Sequence, residues 1–234
     1  MDAYKQNFIE FLLDNGALKT GEYTLKSKRI SPYFFNTGSI DSGNELELLG
    51  DAYASCIRES IDADSFYTIF GPSYKGVPLA VATSMSLNRK FGINKGYTFD
   101  RKEPKGHGDG SPSDIQKNML VGRKINDGDG IVLVDDVMTT GGTKYDSLRL
   151  LRSVADSVRF PGLVIAVDRQ EVDDSGKSAI GEFEAGTGVP VFPILKLTEV
   201  LDYLSTTGKI SESMTGKFRD YIKRYGTEEA RSFL

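Results

Sequence analysis

The stretch Ile131-Val-Leu-Val-Asp-Asp-Val-Met-Thr-Thr-Gly-Gly-Thr143 decides how the chain is read. Four apolar residues make a short buried strand, two carboxylates sit at its carboxyl end, small and hydroxylated residues form a loop, and a helix begins near Thr143. In open α/β sheets, ligands bind outside the carboxyl ends of the strands. A Thr/Gly loop entering a helix N-terminus presents backbone N–H groups and the positive end of the helix dipole to a phosphate. Asp135 and Asp136 would repel that phosphate, so their partners are hydroxyls, such as those of a ribose. The segment therefore asks for a sugar phosphate. The loop does not end in the Gly-Lys-Ser/Thr of a Walker A motif. Its bland alternative is a βα turn whose acids merely cap the helix.

Working outward, the composition is that of a soluble intracellular enzyme expected in the cytoplasm. A chain of 234 residues can enclose one generous α/β core, and 1–234 is expected to form a single domain. The N-terminus is charged and lacks an apolar signal core, and no stretch approaches membrane-spanning length. A net charge of −4 and a pI near 5.2 argue against broad binding to nucleic acid or a membrane surface. Any anionic ligand must therefore meet local clusters of positive charge. The single cysteine, Cys56, excludes an internal disulfide framework and a cysteine-based zinc cluster. It lies in an amphipathic helical pattern and reads as a buried structural thiol.

Helical and strand patterns alternate along the chain in the manner of βαβ units. Helices are expected from Phe8 to Leu13, Glu45 to Ile61, Val77 to Lys90, Thr143 to about Ala155, Leu197 to Leu204 and Glu212 to Tyr225. Strands are expected at Phe66–Phe70, Tyr97–Phe99, Ile131–Val134, Leu163–Val167 and Val189–Phe192. Internal repeats, low-complexity tracts and a linker to a second catalytic domain are missing from the pattern.

A second informative stretch, Phe99 to Ser113, packs Arg101, Lys102, Lys105 and the only histidine, His107, among Gly and Pro. Such a segment makes neither a rigid helix nor a central strand. A mobile loop that concentrates positive charge suits a lid over a departing polyanion. The alternative is a solvated basic surface loop.

The segment 131–143 resembles the phosphoribosyl pyrophosphate (PRPP) signature of type I phosphoribosyltransferases. The run Arg101-Lys-Glu-x-Lys-x-His-Gly resembles the lid of one branch, the orotate phosphoribosyltransferase family. Leu25 to Asn36 is similar to that family's N-terminal element, with Lys28 where glycine is usual, and Gly71 to Pro78 is similar to its pyrophosphate loop. The resemblance implies an α/β fold with a mostly parallel central sheet flanked by helices, an N-terminal hood (about 1–40) and a mobile catalytic loop (about 100–118). It implies PRPP contacts from Lys26, Tyr74, Lys75, Arg101, Lys102, Lys105 and His107, and from the signature residues Asp135, Asp136, Val137, Met138, Thr139, Thr140, Gly141, Gly142 and Thr143. Lys105, Arg101 and His107 carry the catalytic expectation. Orotate would meet Phe34, Phe35, Thr139 and Arg169, the last offering a guanidinium fork to a carboxylate; the structural alternative for Arg169 is an ion pair with Asp168 or Glu171. The segment 108–118 departs from the family in being longer. Also implied are Mg²⁺ riding mainly on PRPP oxygens, without dedicated protein metal ligands, and a homodimer with shared active sites. The expected reaction converts orotate and PRPP to orotidine 5′-phosphate and pyrophosphate in pyrimidine biosynthesis. The rivals are a transferase for another nucleobase and a PRPP-sensing regulator on the same fold.

Overall fold

Strands covered on both faces read as unbroken apolar runs rather than alternating ones, and the central strands here have that character. The computed structural model describes residues 1–25, 27–103, 119–138 and 142–234. Lys26, Lys105, His107, Thr139, Thr140 and Gly141, and the long segment after His107, lie outside the described residues. In chain order the elements are α1 (Ala3–Asp14), β1 (Leu18–Thr24), β2 (Ile30–Phe35), α2 (Gly43–Ser60), β3 (Thr68–Gly71), α3 (Gly76–Phe91), β4 (Gly96–Asp100) and β5 (Leu120–Gly122). Then come β6 (Gly130–Val137), α4 (Gly142–Val154), β7 (Arg159–Asp168), α5 (Ala179–Thr187), β8 (Val191–Lys196), α6 (Leu197–Thr206), α7 (Glu212–Tyr225) and α8 (Glu228–Ser232).

The main sheet runs β5-β4-β3-β6-β7-β8. All its neighbours are parallel except β5, which pairs antiparallel with β4 at the edge. Alternate residues of β6 and β7 feed two cores. Val132, Val134, Val164 and Ala166 join Phe8 and Leu12 of α1, Tyr53 and Ile57 of α2, and Phe218 of α7. Ile131, Leu133, Leu163 and Ile165 join Leu148 and Leu151 of α4 and Phe183 of α5. Helices on both faces are thus what the apolar runs require. Cys56 is buried in the first of these cores.

From β3 the chain crosses through α3 to β4 on one side, whereas from β6 it crosses through α4 to β7 on the other. The strand order therefore reverses between β3 and β6. In doubly wound sheets the crevice at such a reversal is the usual ligand site.

Several expected boundaries moved. The strand expected from Phe66 begins at Thr68, because Ala63–Ser65 forms a 3-10 turn that Phe66 ends. The strand expected at Val189–Phe192 is β8, running on to Lys196; it tolerates Pro193 because it is an edge strand. Five elements were not foreseen: β1 and β2, which pair as a hairpin, β5, α5 and α8. β1 holds Lys19, Gly21 and Glu22 and slips register between Thr20 and Tyr23, so it carries little apolar alternation to read.

Candidate active site

Three strand ends supply the residues around the reversal. After β3, the loop Gly71–Gly76 turns so tightly that a Cβ on Gly71 would stand 1.8 Å from the Gly76 carbonyl oxygen. Only glycine permits that approach. The loop is tied sideways to β4: the Ser73 N–H donates to Asp100 Oδ1 at 2.5 Å, and its hydroxyl donates to the Asp100 carbonyl. Arg101 and Lys102 follow directly, and the Lys102 ammonium stands 5.8 Å from the centre of the exposed Tyr74 ring. Lys75, at the start of α3, reaches across the reversal and donates to Asp136 Oδ2 at 3.2 Å. Thr37 Oγ1 donates to the same oxygen at 3.4 Å. Thr37 and Lys75 also line a cavity of about 390 Å³ walled by Ile40, Leu46, Pro78 and Leu79.

The two adjacent acids have different surroundings. Asp136 turns one oxygen to Lys75 and Thr37 and the other to the Val137 N–H, at 2.7 Å. Asp135 is buried: Lys144 of α4 donates to its Oδ2 at 2.5 Å, and the Asp136 N–H donates to its Oδ1 at 2.9 Å. Burial outweighs the attraction of Lys144 and pushes the Asp135 carboxyl above the usual carboxylate range. Its backbone carbonyl accepts from the Tyr53 hydroxyl at 2.7 Å. Met138 packs its side chain in the core, leaving only its backbone for a ligand, whereas Gly142 and Thr143 at the start of α4 are exposed.

Arg169 leaves the end of β7, the neighbour of β6, and is held in a cluster built with Glu171, Tyr33 of β2 and Tyr221 of α7. Its Nε donates to Glu171 Oε1 at 2.9 Å, and the guanidinium carbon stands 5.1 Å from the centre of the Tyr33 ring. Glu171 Oε1 also accepts from Tyr221 of α7 at 2.8 Å and from Tyr33 at 3.3 Å. Of the two ion pairs open to Arg169, the one with Glu171 forms, with both side chains only 20% exposed. Gln170 takes a left-handed φ of +50° and is buried; its side-chain oxygen accepts from the Thr198 N–H at 2.9 Å, and its carbonyl accepts from the Thr227 N–H at 2.8 Å. The turn that aims Arg169 is thus anchored on α6 and α8.

In β2, Tyr33 is core, packed against Phe218 and Tyr221, while Phe34 is exposed beside Tyr23 and Phe35 is half-buried. Lys28 sits at φ +63°, so the turn keeps the left-handed conformation that glycine would take freely. Sequence reasoning had not singled out Thr37, Tyr33, Tyr221 or Lys144. For Lys144 no local signal exists, since a lysine in a helix's first turn usually faces solvent. Among the described residues, His, Cys, Asp and Glu form no group of three or more that could hold a metal ion. With Asp135 engaged by Lys144, the accessible acid is Asp136, which suits a hard cation arriving on substrate phosphates.

Comparison with known proteins agrees with this geometry. Residues 36–177 match the phosphoribosyl transferase domain family. The chain is 39% identical to the orotate phosphoribosyltransferase of Clostridium beijerinckii, over 97% of this chain and all of that one. It is 46% identical to that of Bifidobacterium adolescentis over 83% of each chain. The crystal structure of the Francisella tularensis orotate phosphoribosyltransferase superposes with a TM-score of 0.79 at 38% identity, covering 94% of this chain and 100% of that one.

Proposed function

From the premise that the chain belongs to the orotate phosphoribosyltransferases, we propose the roles its residues play in the reaction. The enzyme transfers phosphoribosyl from PRPP to orotate, giving orotidine 5′-phosphate and pyrophosphate, a pentosyl transfer in pyrimidine biosynthesis. The bond from ribose C1 to the pyrophosphate oxygen breaks with its electron pair going to pyrophosphate, the bond from C1 to orotate N1 forms, and the N1 proton passes to the released pyrophosphate. Positive charge builds on the ribose and negative charge on the leaving group, so preorganised charges have most effect there.

The observation that carries the assignment of roles is the approach of Lys75 to Asp136, 3.2 Å apart across the strand reversal. It sets a lysine suited to a diphosphate against an acid suited to ribose hydroxyls. Asp136 takes the ribose hydroxyls; the loop from Val137 to Thr143 takes the 5′-phosphate on backbone N–H groups and the start of α4. Tyr74, Lys75, Arg101 and Lys102 face the pyrophosphate, and Lys26, Lys105 and His107 join them by family resemblance. Phe34, Phe35, Thr139 and Arg169 receive orotate, Arg169 exchanging part of its hold on Glu171 for the substrate carboxylate. Mg²⁺, when bound through PRPP oxygens, neutralises charge on the departing pyrophosphate.

The domain is taken to be single over 1–234, with its hood at about 1–40 and its lid at about 100–118. The enzyme is taken to be cytoplasmic and a homodimer; Leu48 and Met85 leave apolar side chains exposed on α2 and α3, a surface suited to a second copy. Among the described residues, no helix is long and apolar enough to cross a membrane.

The test is loss of orotate absorbance on adding PRPP and Mg²⁺. No loss with orotate, alongside turnover of a purine base, would overturn the substrate.

A further inference from the structure

A cation in the first turn of a helix opposes the positive end of the helix dipole, and α4 carries one there, Lys144. Its placement therefore needs a reason other than helix stability. The Lys144 side chain is only 9% exposed and that of Asp135 10%. One ammonium proton goes to Asp135 Oδ2 at 2.5 Å and another to the Val137 carbonyl at 2.7 Å. These two bonds join the end of β6 directly to the first turn of α4. They also turn the Asp135 carboxylate inward, away from the surface on which Asp136 meets Lys75 and Thr37. Two free carboxylates side by side would repel a substrate with several negative charges; a buried counter-charge removes half of that repulsion.

We propose that Lys144 is a positioning residue that clamps Asp135 and the Val137 carbonyl together, making Asp135 an internal strut and leaving Asp136 as the acid that meets the ribose. The proposal rests on the PRPP reading of the site and assigns the adjacent acids unequal tasks. Lys144 is placed to touch no reacting atom; it acts through the carboxylate of Asp135 and the carbonyl of Val137 that it holds.

The test compares wild type with Lys144→Met, which keeps the apolar stem but removes the charge, and with the double variant Lys144→Met/Asp135→Asn, which leaves neither partner charged. Removing one member of a buried pair strands the other charge, so Lys144→Met should raise KM for PRPP about tenfold or more while KM for orotate changes less than about twofold. The double variant should recover PRPP KM to within about threefold of wild type, because contacting residues couple. An unchanged PRPP KM in Lys144→Met, or equal weakening of both substrates, overturns the clamp. A double variant no better than Lys144→Met overturns the strut role of Asp135, since an acid that itself binds ribose cannot be rescued by its amide. If Lys144→Met does not fold, the double variant decides alone: PRPP KM near wild type supports the proposal and a tenfold rise sinks it. Wild-type enzyme that fails to consume PRPP with orotate overturns the site reading itself and is seen before any variant is made.

Discussion

At the scale of single residues, the site separates charges that the linear sequence places side by side. Asp135 and Asp136 are neighbours, yet one is buried against Lys144 and the other faces Lys75. Asp136→Asn keeps volume and removes charge, so PRPP binding should weaken at least about tenfold, on the scale of a lost charge-assisted bond, while thermal unfolding stays near wild type. A large fall in melting temperature with unchanged PRPP affinity would make Asp136 a structural capper. Arg169 poses the opposite question, because it already has a partner in Glu171 at 2.7 Å. Arg169→Ala should weaken orotate binding by on the order of 2–5 kcal/mol, seen as a rise in KM for orotate, while leaving KM for PRPP nearly unchanged, since the substrate carboxylate would lose its charge partner. Equal losses for both substrates would show that the guanidinium only braces Tyr33 and Glu171. The aspartates and Arg169 were legible in the sequence because strand ends and motif spacing mark them. The pairing of Arg169 with Glu171, two residues on, was open to local reading, whereas Tyr33, Tyr221 and Lys144 acquire their partners only through tertiary packing, which no local pattern encodes.

At the scale of elements, what could be read was whatever the core demands. The apolar runs of β6 and β7 are buried on both faces and were found, as was α7 to its boundaries. The β1–β2 hairpin was missed although it carries Tyr33 into the Arg169 cluster, because its strands are half-exposed, short of alternation and interrupted by an irregular register. Loop geometry was legible only as glycine positions. The loop between β3 and α3 makes that dependence testable: in Gly71→Ala the new Cβ would lie 1.8 Å from the Gly76 carbonyl oxygen, and backbone must move. The expected result is a destabilisation of about 1–3 kcal/mol, the usual cost of overpacking, together with a rise in KM for PRPP because Lys75 shifts with the loop. Chemical denaturation and kinetics on the same preparation check both. A variant as stable and as active as wild type would mean the turn is looser than its geometry indicates.

At the scale of the whole molecule, the groups that share the core tie stability to pH. Burial pushes the Cys56 thiol from 9.0 to about 11 and pushes the fully buried Tyr33 and Tyr53 phenols well above their usual value of 10.0. These folded-state values are raised, so their stabilisation is complete below pH 9 and is lost as pH climbs, from 9 toward 11 for Cys56 and from 10 upward for the tyrosines; each such group costs about 1.4 kcal/mol per pH unit in that window. Urea midpoints should therefore fall between pH 8 and pH 11, and Cys56→Ala should remove the part of the fall that begins near pH 9; a flat profile would contradict the burial of all three. Assembly is the other whole-molecule property. A lid reaching from a second copy can bring charge to the pyrophosphate without crowding its own ribose-binding edge, so we expect each lid to serve its partner's site. Lys105→Ala and Asp136→Ala should each be nearly inactive alone. A mixed dimer pairs an intact lid from one chain with an intact acid from the other and restores one site of two. Random reassortment of equal amounts makes about half the dimers mixed, so closed two-fold pairing predicts roughly a quarter of wild-type activity after co-expression. Verified mixed dimers no more active than either parent would mean that each site is built within one chain.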